Sequence, residues 1–214
     1  MKRFNEKHLT VIDFIRHGHC EGGEIYRGST DVELSSQGRE QMLNALHHAS
    51  NQASDRPWQK IVTSPLKRCR LISEELAEQW QVPIAVEESF REMSFGDWEG
   101  KPVAQIHEQQ QEQVKQFYRN PVGNTPPNGE PIVDVQARMQ NAFEQILQNH
   151  LDQHLLLVQH GVSIRVMLLT LLNIPLNQLA TLEIPYAGMA RVKIYTGENN
   201  HRAVLSGLNR FSEI

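Results

Sequence analysis

Residues 9–18 read LTVIDFIRHG, and this stretch decides the fold. Its first seven residues, Leu9 to Ile15, are rich in β-branched and aromatic side chains and predict a buried strand. Arg16, His17 and Gly18 follow where the strand gives way to a glycine turn. We therefore expect a guanidinium and an imidazole at the carboxyl end of a central strand.

A second strand end with the same pattern lies further along the chain. Leu155 to Gln159 predicts a strand, and His160 and Gly161 then open a helix that continues to Leu172. Glycine lets backbone N–H groups come close to a ligand, so we include Gly161 among the predicted substrate-binding residues. The second histidine is expected beside the first, because parallel strands end at the same edge of a sheet.

A third strand end supplies a second arginine. Lys60 to Ser64 predicts a short strand, and Pro65 begins a helix in which Arg68 lies one turn from the start. We expect Arg68 to point towards the same crevice as Arg16 and His17. The three strand ends would then place two arginines and two histidines around one point.

The rest of the chain continues the alternation of helices and strands. The further predicted elements are a helix from Ser35 to about Ser50, a short strand from Pro83 to Val86, a loop from Phe90 to Gly100, a helix from Pro102 to Tyr118, a proline-rich connection from Asn120 to Pro131, a helix from Ile132 to Leu147, and short strands at Leu182 to Ile184, Ala190 to Tyr195 and Ala203 to Leu205. This order predicts an α/β sandwich with a mainly parallel sheet, formed as one domain over residues 1–214. Residues of about 100–131 are expected to form a small helical lid insertion.

Composition excludes several classes of protein. Of 214 residues, 39% are hydrophobic and 21% charged, as in ordinary globular domains, and the net charge of -4 argues against a surface for nucleic acid. The most apolar late segment, Val166 to Leu172, is shorter than the ~20 residues that cross a bilayer, and no signal peptide is visible. Cys20 and Cys69 lack metal-site spacing. We expect a cytoplasmic protein without a membrane partner; a homodimer is left open.

Two arginines around two histidines suit a phosphate dianion. Arginine offers planar, bidentate donors and keeps its charge at any relevant pH. A neutral imidazole between cations resists protonation and can attack phosphorus directly, which makes His17 the candidate nucleophile. Phosphoryl transfer depends mainly on positioning and on electrostatic stabilisation of the transferring group. The pattern therefore predicts a phosphatase that hydrolyses a small phosphate monoester through a phosphohistidine and needs neither cofactor nor metal.

The leaving oxygen of such a reaction needs a proton. Glu92, in residues 91–100 with the sequence REMSFGDWEG, is the candidate donor. A carboxyl group that faces a bound dianion would have its protonated form favoured. The competing interpretation of Glu92 is a solvated loop carboxylate.

These motifs resemble the histidine phosphatase superfamily, also called the phosphoglycerate mutase-like fold, over nearly the whole chain. The resemblance implies a three-layer α/β/α sandwich and places the nucleophile at His17, with Arg16 and Arg68 as phosphate ligands. It also implies that Glu92 donates the proton and that His160 is the second histidine of the site.

Within the phosphatase branch, four further segments are similar to the alpha-ribazole phosphatases of cobalamin biosynthesis, which remove a 5'-phosphate without a metal. They are residues 22–29 (GGEIYRGS), 64–69 (SPLKRC), 95–100 (FGDWEG) and 126–131 (PPNGEP). The resemblance to this group implies alpha-ribazole 5'-phosphate as the substrate.

Four residues, at three places in the chain, depart from the superfamily pattern. His19 and Cys20 stand where Glu-Thr or Glu-Ser is usual, and Gln159 precedes the second histidine where Ser or Thr is common. Gly23 stands where many members have an asparagine that binds phosphate. We expect Arg27 to supply the missing donor, against the alternative of a solvated loop arginine.

Other functions compete with this interpretation. Within the fold they are a broad-specificity small-molecule phosphatase and a phosphoglycerate mutase, which returns the phosphoryl group to a bound sugar acid. Outside it, a phosphate-binding module would keep the arginines but lose His17 or Glu92, and both are present. A metal hydrolase built on His17, His19, Cys20 and His160 lacks a recognisable ligand motif.

Overall fold

A computed structural model describes residues 7–51, 57–198 and 201–209, so the ends of the predicted domain range 1–214 lie outside the described residues. The strands and helices, in chain order, are β1 His8–Arg16, α1 Ser36–Asn51, β2 Lys60–Thr63, α2 Lys67–Trp80, β3 Ile84–Val86, α3 Val103–Gln109, α4 Gln111–Arg119, α5 Ile132–Asn149, β4 His154–Gln159, α6 Gly161–Leu171, β5 Met189–Thr196 and β6 His201–Leu208. Short 3-10 turns occur at Glu88–Phe90, Gly96–Trp98 and Leu176–Thr181. None of the helices within these ranges has the length and apolarity that a bilayer crossing requires.

The strands form one mixed sheet in the order β3-β2-β4-β1-β5-β6. The first four are mutually parallel, whereas β5 runs antiparallel to β1 and β6 antiparallel to β5. The prediction of a mainly parallel α/β sheet is therefore confirmed. The parallel strands β1, β2 and β4 are central, and their carboxyl ends lie at one edge, as the sequence analysis expected.

Side chains on β4 show how helices come to cover both faces of the sheet. Leu155 and Leu157 are fully buried in a cluster with residues of α5 and α6, while Leu156 and Val158 are buried in a second cluster with residues of α1 and α2. Alternate residues of a strand point to opposite faces, so an unbroken apolar run requires apolar cover on each side. The result is a three-layer α/β/α arrangement.

Two predicted elements differ from the observed ones. Leu182 to Ile184, predicted as a strand, is an extended segment without a neighbouring strand, and the Ile184 carbonyl accepts a hydrogen bond from Arg16 Nη1 at 2.8 Å instead. The predicted helix from Pro102 to Tyr118 is divided into α3 and α4 at Gln110, whose φ of -131° is not helical. Gln110 Oε1 accepts a hydrogen bond from Trp98 Nε1 at 2.7 Å, which holds the break against the buried indole.

Away from the carboxyl ends of the parallel strands, a buried carboxylate connects β1, β4 and β5. Asp13 of β1 is 1% exposed and accepts hydrogen bonds from Arg191 Nε and Nη2 at 2.7 and 2.8 Å, from His154 Nε2 at 2.9 Å and from Trp58 Nε1 at 2.8 Å. Burial alone would raise the pKa of Asp13, but the bonds from Arg191 and His154 outweigh it and lower the pKa. The charged form is therefore the one that the fold stabilises.

We expect Asp13→Asn to lower the free energy of unfolding by about 3 kcal/mol, because it removes one partner of a buried ion pair. Because the pKa of Asp13 is depressed in the folded state, this contribution is present above the ordinary aspartate value of about 4 and is lost as the pH falls below it. Urea unfolding between about pH 3 and pH 7 measures the difference. A difference between parent and variant that does not shrink at low pH would contradict the prediction.

Candidate active site

The two predicted catalytic histidines follow paired residues of neighbouring strands. Arg16 of β1 lies opposite Gln159 of β4, and the His17 N–H donates to the Gln159 carbonyl at 3.0 Å. His17 and His160 therefore leave the sheet side by side, with ring centroids 5.2 Å apart. The register of β1 with β4 thus brings together residues that are far apart in sequence.

The hydrogen bonds of His17 determine which ring nitrogen is free. Nδ1 lies 2.8 Å from the Gly18 carbonyl oxygen, which can only accept, so Nδ1 carries the hydrogen. In the neutral ring Nε2 then keeps its lone pair, and no described residue hydrogen bonds to it. Burial lowers the pKa of His17 well below its ordinary value, and the charges of Arg68 and Arg16 lower it further. His17 is built to be a neutral imidazole with Nε2 available.

His160 has both ring nitrogens engaged by protein. Arg68 Nε can only donate, so His160 Nδ1 accepts its hydrogen bond at 3.1 Å. Nε2 of the neutral ring therefore carries the hydrogen and donates to Ser64 Oγ at 2.6 Å. Burial, followed by the charge of Arg68, lowers the pKa of His160 well below its ordinary value. The second imidazole is neutral and held in one orientation.

Arg68 is fully buried against His160 and is not among the residues that line the cavity beside His17. Besides the bond to His160, its guanidinium donates to the carbonyls of Thr30 and Gly28, at 2.9 and 2.8 Å, and more weakly to that of Arg27 at 3.4 Å. Four of its five N–H groups are thereby used. Arg68 is close enough to His17 for its charge to act on that imidazole, as expected. Most of its N–H donors, however, bind protein groups and are not available to a ligand.

A cavity of about 580 Å³ opens beside His17. Five of the seven predicted site residues line it, namely Arg16, His17, Arg27, Glu92 and Gly161. Arg16 Nε and Arg27 Nε are buried donors without a hydrogen-bond partner in the described part of the chain. Buried N–H groups of charged side chains are costly to leave unpaired, so an anion in this cavity would satisfy them.

Arg27 is held in the cavity wall by the loop that departs from the superfamily pattern. It is 8% exposed, and its Nη2 donates to the carbonyls of Glu21 and Gly23. Gly22 and Gly23 both have positive φ, 85° and 74°, which lets the chain turn back over the guanidinium. Gly23 contributes a carbonyl that orients Arg27, where the superfamily usually has an asparagine side chain.

Glu92 lies at the amino end of α6, where backbone N–H groups are free to bind a carboxylate. Its Oε2 accepts from Val162 N–H at 3.0 Å, and its Oε1 accepts from Ser163 and Met93 N–H, each at 3.0 Å. Since each oxygen has two lone pairs, Oε2 retains a free one that can carry a proton. Arg138 of α5 also fixes the loop by donating to the carbonyls of Ser89, Arg91 and Glu92.

Three further features of the wall complete the geometry. Gly161 has no room for a side chain without crowding Arg16, because an added Cβ would lie 3.3 Å from the guanidinium carbon. Arg165 and Tyr186 line the cavity but were missed by the sequence analysis. The guanidinium of Arg16 lies 4.2 Å from the Tyr186 ring centre, a cation–π contact. Arg165 could have been found from the sequence, because it lies four residues after Gly161 on a predicted helix and therefore on the same face. No local pattern pointed to Tyr186.

Both cysteines contact the two imidazoles of the candidate site. Cys20 Sγ lies 3.4 Å from His17 Nδ1, and Cys69 Sγ lies 3.7 Å from each ring nitrogen of His160. Burial raises the pKa of both thiols. A buried thiol with a raised pKa is a poor nucleophile, which agrees with assigning nucleophilic attack to the imidazole.

The comparison with protein families agrees with this arrangement. The family model of the histidine phosphatase superfamily (branch 1) matches residues 12–205, which include all seven predicted site residues. The chain belongs to the histidine phosphatase superfamily. Both the predicted family and the predicted class of enzyme, a phosphoric monoester hydrolase, are confirmed.

Individual relatives are similar at low identity. The uncharacterized phosphatase PhoE of Bacillus subtilis is 28% identical over 162 residues, covering 75% of this chain and 76% of that protein. Phosphoserine phosphatase 1 of Hydrogenobacter thermophilus is 28% identical over 172 residues, covering 79% and 80%. The alpha-ribazole phosphatase of Shigella flexneri superposes with a TM-score of 0.75 at 21% identity, covering 94% of this chain and 97% of that one, and so shares the fold.

We expect Glu92→Gln to affect the reaction according to the leaving group. A ribose alkoxide needs a proton as the phosphorus–oxygen bond breaks, whereas p-nitrophenolate does not, so transfer from an alkyl phosphate should slow by at least about a hundredfold and transfer from p-nitrophenyl phosphate much less. Rapid-quench measurement of the first turnover gives both rates. Glu183→Gln, which alters another carboxylate of the same cavity, serves as control. An equal loss with both esters would leave Glu92 a positioning residue.

Proposed function

We propose that the protein is a cytoplasmic phosphomonoesterase that transfers the phosphoryl group of its substrate to Nε2 of His17 and then to water. One observation carries this proposal. His17, a neutral imidazole whose Nε2 makes no hydrogen bond to a described residue, lines a cavity together with Arg16 and Arg27, each of which has a buried Nε donor that no described residue pairs. A nucleophile beside unsatisfied cationic donors matches what a phosphate dianion requires.

The reaction has two displacements at phosphorus. In the first, His17 Nε2 attacks, the bond from phosphorus to the ester oxygen breaks, and Glu92 Oε2 gives that oxygen a proton. In the second, water attacks the phosphohistidine, Glu92 takes up a proton from it, and inorganic phosphate leaves with His17 restored. Arg16 and Arg27 hold the non-bridging oxygens throughout, where the charge of the transition state lies.

The hydrogen bonds of the site disfavour a metal hydrolase. His17 Nδ1 donates to the Gly18 carbonyl, and both nitrogens of His160 are engaged by Arg68 and Ser64. A metal ion could bind the free Nε2 of His17, but to bind His160 as well it would have to displace Arg68 or Ser64, and His19 Nδ1 is itself bonded to Ser35 Oγ. We therefore propose that guanidinium groups, rather than a metal, neutralise the transferring phosphoryl group.

Labelling tests the intermediate. Parent protein incubated with a 32P-labelled phosphate ester should retain acid-labile, base-stable radioactivity after quenching, and His17→Ala should retain none and lose turnover, because His17 is the one histidine among the described residues that line the cavity. Dialysis against EDTA should leave both labelling and turnover of the parent unchanged. Equal labelling of His17→Ala would refute the assignment, and activity that returns only with zinc would favour the metal hydrolase.

For the natural substrate we propose alpha-ribazole 5'-phosphate, in cobalamin biosynthesis. Two of the segments similar to the alpha-ribazole phosphatases supply cavity wall, namely residues 22–29 and, through Phe95, residues 95–100. The outer wall includes Val103 and Tyr118 from the predicted lid and Leu182 from the segment before β5. These side chains give a flat, apolar base a surface to pack against, while the phosphate lies against the guanidiniums.

Three other functions are tested by the same set of substrates. A broad-specificity phosphatase would hydrolyse phosphoserine, phosphoglycerates and sugar phosphates at similar rates, and a phosphoglycerate mutase would isomerise phosphoglycerate without releasing phosphate. A non-catalytic phosphate-binding module would bind inorganic phosphate and turn over none of the esters. The partner that we propose is a small-molecule monoester, with no role for nucleic acid or a membrane.

A matched pair of variants tests the base-binding wall. The parent should have a kcat/KM for alpha-ribazole phosphate at least about tenfold above that for phosphoserine or 3-phosphoglycerate. Tyr118→Ala should reduce this preference about fivefold, the equivalent of about 1 kcal/mol of ring contact, while Tyr118→Phe should preserve it. Phosphate release with purified protein measures all three. A parent that prefers phosphoserine would overturn the assignment of substrate without affecting the proposed intermediate.

A further inference from the structure

A single carboxylate organises the loop of residues 27–30 from one side. Glu99 Oε2 accepts from the N–H groups of Gly28 and Thr30 at 3.2 and 2.9 Å, and from Thr30 Oγ1 at 2.5 Å. Glu99 Oε1 accepts from the N–H groups of Ser29 and Phe95, at 2.8 and 2.9 Å. Burial opposes ionisation of Glu99, but these donors outweigh it and lower its pKa. The side chain is therefore a charged anchor.

The other side of the same loop holds Arg68. The peptide unit between Gly28 and Ser29 donates its N–H to Glu99 at 2.8 Å and accepts from Arg68 Nη2 at its carbonyl, also at 2.8 Å. The preceding peptide unit, between Arg27 and Gly28, makes the same two kinds of contact at 3.2 and 3.4 Å. Two peptide dipoles are thus aligned between a carboxylate and a guanidinium.

This arrangement compensates for the buried positive charge of Arg68. Arg68 is fully buried, and in the described part of the chain its hydrogen bonds go to carbonyl groups and to a neutral imidazole, not to a carboxylate. A buried charge needs compensation, and oriented peptide groups convey part of it from a carboxylate that they also bind. Glu99 is therefore the counter-charge of Arg68, and the peptide groups between the two side chains connect them in place of a direct contact.

The loop fits this role only with glycine at its centre. A Cβ added to Gly28 would lie 2.1 Å from the Met93 carbonyl oxygen and 2.2 Å from Glu99 Oε1. The backbone of residue 28 therefore packs directly on the segment that carries both Glu92 and Glu99. The proton-donor loop and the carbonyls that hold Arg68 form one unit.

We propose that Glu99 is a positioning residue of the active site, which acts through the peptide groups of residues 27–30 to hold the guanidinium of Arg68 against His160. The proposal rests on the phosphohistidine mechanism above and adds to it the residue that sets its second arginine. Glu99 touches no substrate in this role. Its effect reaches the reaction through the tautomer of His160 and through the charge of Arg68 beside His17.

Two consequences distinguish this role from a merely structural one. If the carboxylate is lost, His160 Nδ1 loses its fixed donor, and the hydrogen is no longer confined to Nε2. The charge of Arg68 also moves away from His17, whose pKa then rises towards its ordinary value near 6.5. Activity should therefore fall more at low pH than at high pH.

Glu99→Gln is the informative variant, because its shape is nearly that of glutamate. Two donors face Oε1 and three face Oε2, so a glutamine NH2 group must oppose at least two N–H or O–H donors in either orientation. Glu99→Asp keeps the charge, and Thr30→Val removes only one donor. Asp13→Asn is the matched control, since it disturbs a buried carboxylate network of similar size away from the cavity.

Imidazole nitrogen signals in long-range 1H–15N spectra and the pH dependence of kcat/KM with p-nitrophenyl phosphate provide the readouts. In Glu99→Gln we expect altered His160 signals, a His17 pKa shifted upwards, and a ratio of variant to parent activity that is lower at about pH 5.5 than at about pH 8. Glu99→Asp and Thr30→Val should shift less in the same direction. The control should lose stability, and its His17 and His160 signals should remain those of the parent, although the His154 signals change with the loss of the Asp13 carboxylate.

The proposal is overturned if Glu99→Gln loses stability like the control while the histidine signals and the pH profile stay as in the parent. Should Glu99→Gln fail to fold, folded Glu99→Asp and Thr30→Val proteins with parent values for both readouts would overturn it equally. The imidazole spectra require no substrate. A parent protein that never forms phosphohistidine would therefore refute the proposed function and leave the result on Glu99 standing.

Discussion

The structure depends on keeping positive charge beside a neutral imidazole in a buried place. Burial already lowers the pKa of His17, and Arg16 and Arg68 lower it further, so the ring remains unprotonated where a phosphate dianion would bind. A carboxylate placed directly on either arginine would neutralise the field that favours both the dianion and the free imidazole. Backbone carbonyls hold the arginines instead: Ile184 holds Arg16, Glu21 and Gly23 hold Arg27, and Gly28 and Thr30 hold Arg68.

Backbone carbonyls can accept hydrogen bonds from these arginines only where the chain passes close to the guanidinium groups. The glycines at positions 22 and 23 turn the loop over Arg27, Gly28 leaves no room for a Cβ beside Glu99, and a Cβ at Gly161 would crowd Arg16. Glu99 stands behind the peptide groups of residues 27–30, and Glu92, which lines the cavity, is bonded to the first N–H groups of α6. The negative charges of the site are thus fixed by N–H donors, and the positive ones by carbonyls.

Sequence reasoning reached the strand ends because an apolar run followed by a polar residue and glycine is a local pattern. It therefore located His17, His160, Arg16 and Arg68, and the family comparison covers all four. The prediction of a strand from Leu182 to Ile184 was wrong, because a run of three residues does not show whether a neighbouring strand is present to pair with it. Sequence reasoning also passed over the break at Gln110, which is held by a hydrogen bond to Trp98 that no local pattern reveals.

Local patterns in the sequence predicted most of the strands and helices, the residues at each strand end and the family, because side-chain periodicity and short motifs are properties of neighbouring residues. How those residues are used depends on the tertiary structure. The parallel register of β1 with β4 sets the two imidazoles side by side, and contacts between distant segments engage both nitrogens of His160 and hold Arg68 against it. Hydrogen bonds of this kind depend on distance in space, and distance along the chain carries no information about them.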